Sequence, residues 1–288
     1  MKSAREAAAL VAIPVVLAVL FFLPPVAFNL LVAATALAAQ REFYRIAERT
    51  GHPVARTIGM ALSAILLLCA SVLWSRERLP GWLPELRPDA GTGRILAAGI
   101  LAVFLASLAP LLARLPPNVA LAGASSTLFG VLAIALPAVT LCYLRSPFGD
   151  SSAAFGSRAI LLLFLLVWGC DSAAYYGGRR FGKHKLAPVV SPNKTVEGAL
   201  FGLLGGAVIG AAAGTWLVLP ELGTFRGLVA GAVVTSAGQA GDLVESLWKR
   251  GAGVKDSGAF LPGHGGFYDR IDSLLFAGPV LAAFVASL

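Results

Sequence analysis

Long apolar runs separated by short basic loops constrain this chain more than any other feature. A helix needs about 20 mostly apolar residues to cross a bilayer. Such runs fall near 7–23, 26–40, 58–75, 95–113, 119–143, 159–177, 198–219, 226–247 and 270–287. The chain is 57% hydrophobic and only 13% Asp, Glu, Lys or Arg, whereas soluble domains carry about a quarter charged residues. A soluble core of 288 residues cannot hide that much apolar side chain. The expected fold is therefore all-α: a polytopic transmembrane helical protein with about nine membrane spans. Pro24-Pro25 divides the first two runs, which form either a tight helical hairpin or one kinked helix with a re-entrant piece.

Nine spans place the termini on opposite sides, and loop Lys and Arg set the orientation. With the N-terminus inside, sixteen basic residues lie on the cytoplasmic side and seven outside, so the expectation is N-in and C-out. The 75–94 loop dissents with four arginines, although it also carries Glu77, Glu85 and Asp89. The net charge of +8 then reflects orientation and contact with anionic headgroups or phosphates, not nucleic acid. Cys69, Cys142 and Cys170 all lie in apolar runs without a CxxC pair, which leaves no basis for a disulfide framework or a zinc site.

Polar residues near the spans crowd into the last 120 residues. The expected organisation is a membrane-spanning scaffold over 1–150 and a membrane-embedded catalytic region with cytoplasmic-face loops over 151–288, the two forming one integral unit. On the span ending at 247, helical spacing puts Thr235, Ser236, Gln239, Asp242, Glu245, Ser246 and Lys249 on one half of the wheel. Gly238 and Gly241 leave room for a neighbouring helix. Charged groups at membrane depth are costly and face a cavity or a partner. Their bland counterpart is the ordinary polar end of a helix leaving the bilayer.

Downstream, Lys255-Asp256 precedes Pro262-Gly263-His264-Gly265-Gly266-Phe267-Tyr268-Asp269-Arg270-Ile271-Asp272. Asp269 and Asp272 share a helix face, and carboxylates at a helix start are favourable in any protein. Beside Asp242 they would instead form an all-oxygen site suited to Mg²⁺. The glycines would let backbone N–H groups approach phosphate oxygens. Upstream, Asp171 is followed by Tyr175-Tyr176-Gly177-Gly178-Arg179-Arg180-Phe181-Gly182-Lys183-His184-Lys185 and by Ser191-Pro192-Asn193-Lys194-Thr195-Val196-Glu197. Point charges, hydroxyl donors and a helix starting near Thr195 read as a polyphosphate cradle. Neither a Walker pattern nor GxGxxG after a strand is present.

The stretch 246–272, SLWKRGAGVKDSGAFLPGHGGFYDRID, closely resembles the hallmark motif of the bacterial phosphatidate cytidylyltransferases (CDP-diacylglycerol synthases). DSAAYYGGRRFGKHKL and SPNKTVEG resemble that family's second conserved region. The resemblance is sharp over about 171–272 and only topological before that. It implies transfer of a cytidylyl group from CTP to phosphatidic acid with release of pyrophosphate, at the cytoplasmic face of a bacterial inner membrane. It also implies dependence on divalent cations, with a two-cation Mg²⁺ site expected. Carried over by position, Asp242, Asp269, Asp272 and Asp256 are the expected metal residues. Asp171, Asp242, Asp269 and Lys249 are the expected catalytic set. Substrate contacts are expected from Lys185, Ser191, Asn193, Lys194, Thr195, Glu197, Arg250, His264 and Arg270. The expected partners are CTP, phosphatidic acid and membrane lipids, with a homodimer left open. The rival readings are another CTP-dependent lipid or polyprenol transferase or kinase, and a cation-coupled transporter. A transporter of the inverted-repeat kind would spread its polar residues over both halves.

Overall fold

The structure, a computed structural model, describes residues 13–74, 108–146, 153–214, 218–258 and 265–288. The start of the first expected span, most of the 95–113 span, the 75–94 loop and His264 lie outside the described residues. The helices are α1 (Ile13–Phe22), α2 (Pro25–Arg49), α3 (Arg56–Trp74), α4 (Pro117–Arg145), α5 (Ala153–Phe181), α6 (Val196–Ala212), α7 (Thr224–Gly251) and α8 (Tyr268–Ala286). The protein is thus nearly all-α, with one departure. Residues 185–195, expected to be loop, form an antiparallel hairpin of β1 (Lys185–Ala187) and β2 (Ser191–Thr195), with Lys185 opposite Thr195 and Ala187 opposite Ser191. Pro188 and Pro192 explain why this segment is not helical: each lacks an N–H, and its ring clashes with the preceding turn.

The chain divides into two compact units, Met1–Ser146 with Asp256–Tyr268, and Pro147–Lys255 with Asp269–Leu288. In the first unit the helix breaks at Leu23-Pro24 and restarts at Pro25, where a missing N–H costs nothing because the first helical donors have no partner anyway. α2 runs to Arg49, nine residues past the apolar run. The end of the run and its extension carry Gln40, Glu42 and Tyr44, all buried. The Tyr44 hydroxyl accepts from Gln40 Nε2 at 2.8 Å and donates to the Thr127 carbonyl at 2.8 Å. Gly59 and Gly130 sit against the Tyr44 ring, where any side chain would collide. α4 contains a π-helical segment over Val131–Ala135 immediately before Pro137. A proline inside a helix removes one donor, and a local widening accommodates the disrupted ladder.

In the second unit α6 packs against both α5 and α7. The reason is a face without side chains: Gly198, Gly202, Gly206 and Gly210 are all buried on α6. A Cβ at Gly210 would strike the Gly227 carbonyl, and one at Gly206 would strike Thr235. Backbones approach this closely only where small residues meet. Gly238 and Gly241 of α7 face α8; a Cβ on Gly241 would lie 2.9 Å from the Asp272 carbonyl. Among the described residues, two helices, Pro117–Arg145 and Ala154–Phe181, are long and apolar enough to cross a membrane. Shorter apolar helices cover Ile13–Phe22, Arg56–Ser71 and Val196–Ala212.

Candidate active site

The polar side chains of the second unit come together where the hairpin, the end of α7 and the start of α8 meet. β2 ends in Thr195, whose Oγ1 accepts from Gly198 N at 3.1 Å and caps α6. Capping fixes the hairpin to the helix start. One residue earlier, Lys194 reaches Asp242 of α7, with Nζ 2.6 Å from Oδ2. About a third of each side chain stays in solvent, 31% for Lys194 and 33% for Asp242. Ser246 Oγ donates to the other Asp242 oxygen at 3.4 Å.

Two turns further along α7, Lys249 is enclosed. Its Nζ lies 2.5 Å from Glu245 Oε2 and 2.6 Å from Asp269 Oδ1. Glu245 is 1% exposed and the Asp269 side chain 7%. Burial alone would lower the Lys249 pKa, but its hydrogen bonds to Asp269 and Glu245 outweigh that and hold the ammonium above the usual lysine value. Asp272, one turn into α8, accepts from Ser273 N at 2.6 Å. Asp171, Asp242 and Asp272 lie within electrostatic reach of one another, with Lys194 and Lys249 offsetting their repulsion. Asp171 also borders a small recess lined by Cys170, Thr235, Gln239 and Ser273. The geometry therefore collects Asp171, Lys194, Asp242, Lys249, Asp269 and Asp272.

Other expected site residues have different surroundings. Glu197 accepts from Lys183 N at 3.0 Å and pairs with His184 Nδ1 at 2.6 Å, so its carboxylate ties the chain entering the hairpin to the base of α6. Backbone N–H groups and His184 hold its carboxyl down to about 2. Arg250 donates from Nε to the Val190 carbonyl and from Nη1 to the Val254 carbonyl, both at 3.2 Å, and so holds the hairpin turn against the end of α7. Lys185 and Asn193 are exposed on the hairpin, Ser191 is half-buried, and Arg270 is exposed on the first turn of α8. Asp256 is exposed and belongs with the first unit.

A divalent cation needs several hard oxygen ligands. Among the described residues no three His, Cys, Asp or Glu side chains converge closely enough to enclose an ion. Instead Asp242 and Asp269 each hold a lysine ammonium. The donor chemistry is of the kind Mg²⁺ takes: a single carboxylate at each of these two positions already attracts a cationic group.

One buried acid in the first half escaped the sequence reading. Glu42 of α2, 6% exposed, accepts from Ser257 Oγ at 2.7 Å and from Tyr268 N at 2.9 Å. Its signal was an acid among the charged residues that follow an apolar run, which looks like an ordinary helix exit. Two glycines of the downstream motif have described surroundings. Gly266 packs against the Glu42 carboxylate, and Gly265 takes φ +74°, a conformation that glycine adopts freely.

Over 126 residues the chain is 48% identical to the phosphatidate cytidylyltransferase of Staphylococcus epidermidis, 48% to that of Staphylococcus haemolyticus and 47% to that of Staphylococcus aureus. Each match covers 44% of this chain and 48% of the relative, so the chain spans about half the length of the curated relatives it matches. The model of the cytidylyltransferase family matches residues 3–288, and on that match the chain belongs to the cytidylyltransferase family.

Proposed function

We propose that the chain transfers a cytidylyl group from CTP to phosphatidic acid, giving CDP-diacylglycerol and pyrophosphate. The observation that carries this reading is the half-open Lys194–Asp242 pair beside buried Lys249 and Asp269: cations and carboxylates arranged side by side at one edge of apolar helices. A phosphate oxygen of phosphatidic acid attacks the α-phosphorus of CTP, and the bond to the β-phosphate breaks. The second pKa of a phosphate monoester is about 6, so the nucleophile is already ionised near neutral pH and needs no strong base. Both reactants are anions, and the chain must suppress their repulsion. Lys194 turns from Asp242 to the triphosphate; Lys249 stays buried and holds Asp269 in place. Asp242 and Asp269 are assigned to hold Mg²⁺, with Asp272 and Asp256 as further candidate metal residues and Asp171 in the catalytic set. When bound, the ions supply charge neutralisation at the phosphate oxygens. Lys185, Ser191, Asn193, Arg250, His264 and Arg270 are assigned to substrate contact.

The same proposal includes about nine spans with the N-terminus inside, in a bacterial inner membrane, over a scaffold of residues 1–150 and a catalytic region of 151–288. Membrane lipids surround it, and a second copy as partner is left open. The basic loops and the family's lipid-named relatives support this.

Purified protein in detergent, given dioleoyl phosphatidic acid and Mg²⁺, should place label from α-labelled CTP in a chloroform-soluble lipid and leave none there from γ-labelled CTP. Label from the γ-position only would make the chain a CTP-dependent kinase. No labelled lipid from either would end the transferase reading. For orientation, Lys183→Cys in a cysteine-free background should resist an impermeant thiol reagent in intact cells; labelling from outside would invert the topology.

A further inference from the structure

The carboxylate of Glu42 lies at a helix start that its own sequence does not cap. The first backbone N–H groups of any helix have no partner within it, and they prefer an anion. Local caps are Ser, Thr, Asp or Asn just before the helix. Before α8 stands Phe267 instead. Glu42 takes the place of a local cap from 226 residues away: it accepts from Tyr268 N at 2.9 Å and from Phe267 N at 3.2 Å. Ser257 Oγ donates to it as well, at 2.7 Å. Gly258 and Gly266 flank it, and a Cβ on either would collide with the carboxylate. Among the described residues no Lys, Arg or His lies within ion-pair distance of it.

A buried carboxylate without a cation is expensive unless hydrogen bonds replace its water. Three donors and two glycine contacts do so here, and all come from the segment 257–268. Its last described residues, 265–268, lead directly into Asp269. We infer that Glu42 is a positioning residue for the reaction: it ties Ser257 to Phe267 and Tyr268 and sets the first turn of α8, so that the following aspartate is presented in one orientation. Two of the motif's glycines exist to admit this carboxylate. The inference rests on the transferase reading, because the reaction is what the loop serves.

Glu42→Gln retains size but turns an amide N–H toward groups that are themselves donors. In detergent-purified protein, Glu42→Gln should lower kcat by about tenfold or more, the size of one lost charge-assisted contact, while KM for CTP changes less than about threefold. Ser257→Ala removes one donor and leaves both backbone bonds, so it should give an intermediate loss. Hydrogen exchange at the amides of Phe267 and Tyr268 should accelerate in Glu42→Gln, a readout that does not depend on turnover. Unchanged kcat with unchanged exchange would overturn the inference. A kcat loss that only tracks the fraction of misfolded protein would also overturn it. Should Glu42→Gln fail to purify, Ser257→Ala decides: wild-type kcat and exchange there would sink the clamp. An inactive wild type would remove the transferase reading, while the exchange data would still judge the cap.

Discussion

Lys194 and Asp242 meet at 2.6 Å with 31% and 33% of their side chains in solvent; Lys249 and Asp269 meet at the same 2.6 Å with 11% and 7%. Length and chemistry are alike, and only the surroundings differ. An exposed pair is screened and is worth about 0–1 kcal/mol. Under the proposed reaction, an incoming triphosphate would separate it at little cost. Breaking a buried pair leaves an uncompensated charge and costs about 3–5 kcal/mol. Lys249 also serves a second acid, Glu245, so it is a fixed post between α7 and α8. Under the proposed reaction, the contrast would give exchange with substrate to the hairpin lysine and rigidity to the helix lysine.

The sharpest break of that comparison is Lys249→Met. It removes the cation that two buried carboxylates share and should cost about 3–5 kcal/mol, seen as a large fall in melting temperature in detergent and loss of turnover. A variant that melts like wild type would return Lys249 to the substrate side.

Next are the aspartates. Asp242→Asn and Asp269→Asn should each lower turnover about 10²-fold or more. Combining them should add little, because groups acting as a unit fail together. Only Asp269→Asn should also lower the melting temperature, since its lysine is buried. An Asp269→Asn enzyme with more than a tenth of wild-type turnover would move the ion-holding role to Asp272 or Asp256.

Smaller again is Lys194→Ala. Stability should change by less than about 1 kcal/mol, while KM for CTP rises or turnover falls. Normal kinetics would take Lys194 out of the site.

The smallest effect is expected at Glu197, whose carboxylate is occupied by Lys183 N and His184. Its folded pKa, about 2, lies below the ordinary glutamate value of about 4.3. Its contribution is therefore present above the ordinary value and lost as pH falls toward about 2. Near neutral pH, Glu197→Gln should leave turnover within about twofold. A tenfold loss would show that Glu197 contacts substrate after all.

Much of this was legible in the sequence. The apolar runs at 58–75, 119–143 and 226–247 foretell α3, α4 and α7 to within a few residues, because the 3.6-residue period and apolar length are local properties. Thr195 announced the start of α6 by its capping chemistry. The four-residue spacing of Gly198, Gly202, Gly206 and Gly210 was equally readable, yet only packing reveals which helix it admits.

Composition and spacing alone determined that the chain is built from apolar helices and that its polar clusters gather in the last 120 residues. Three things had to wait for the tertiary structure. One is that Lys194, not Lys249, holds Asp242. Another is that residues 185–195 pair as a hairpin. The third is that Glu42 reaches the start of a helix 226 residues away. Periodicity describes neighbours within a turn or two of helix. Which distant carboxylate meets which donor depends on how loops close and where glycines let backbones touch, and no local pattern carries that information.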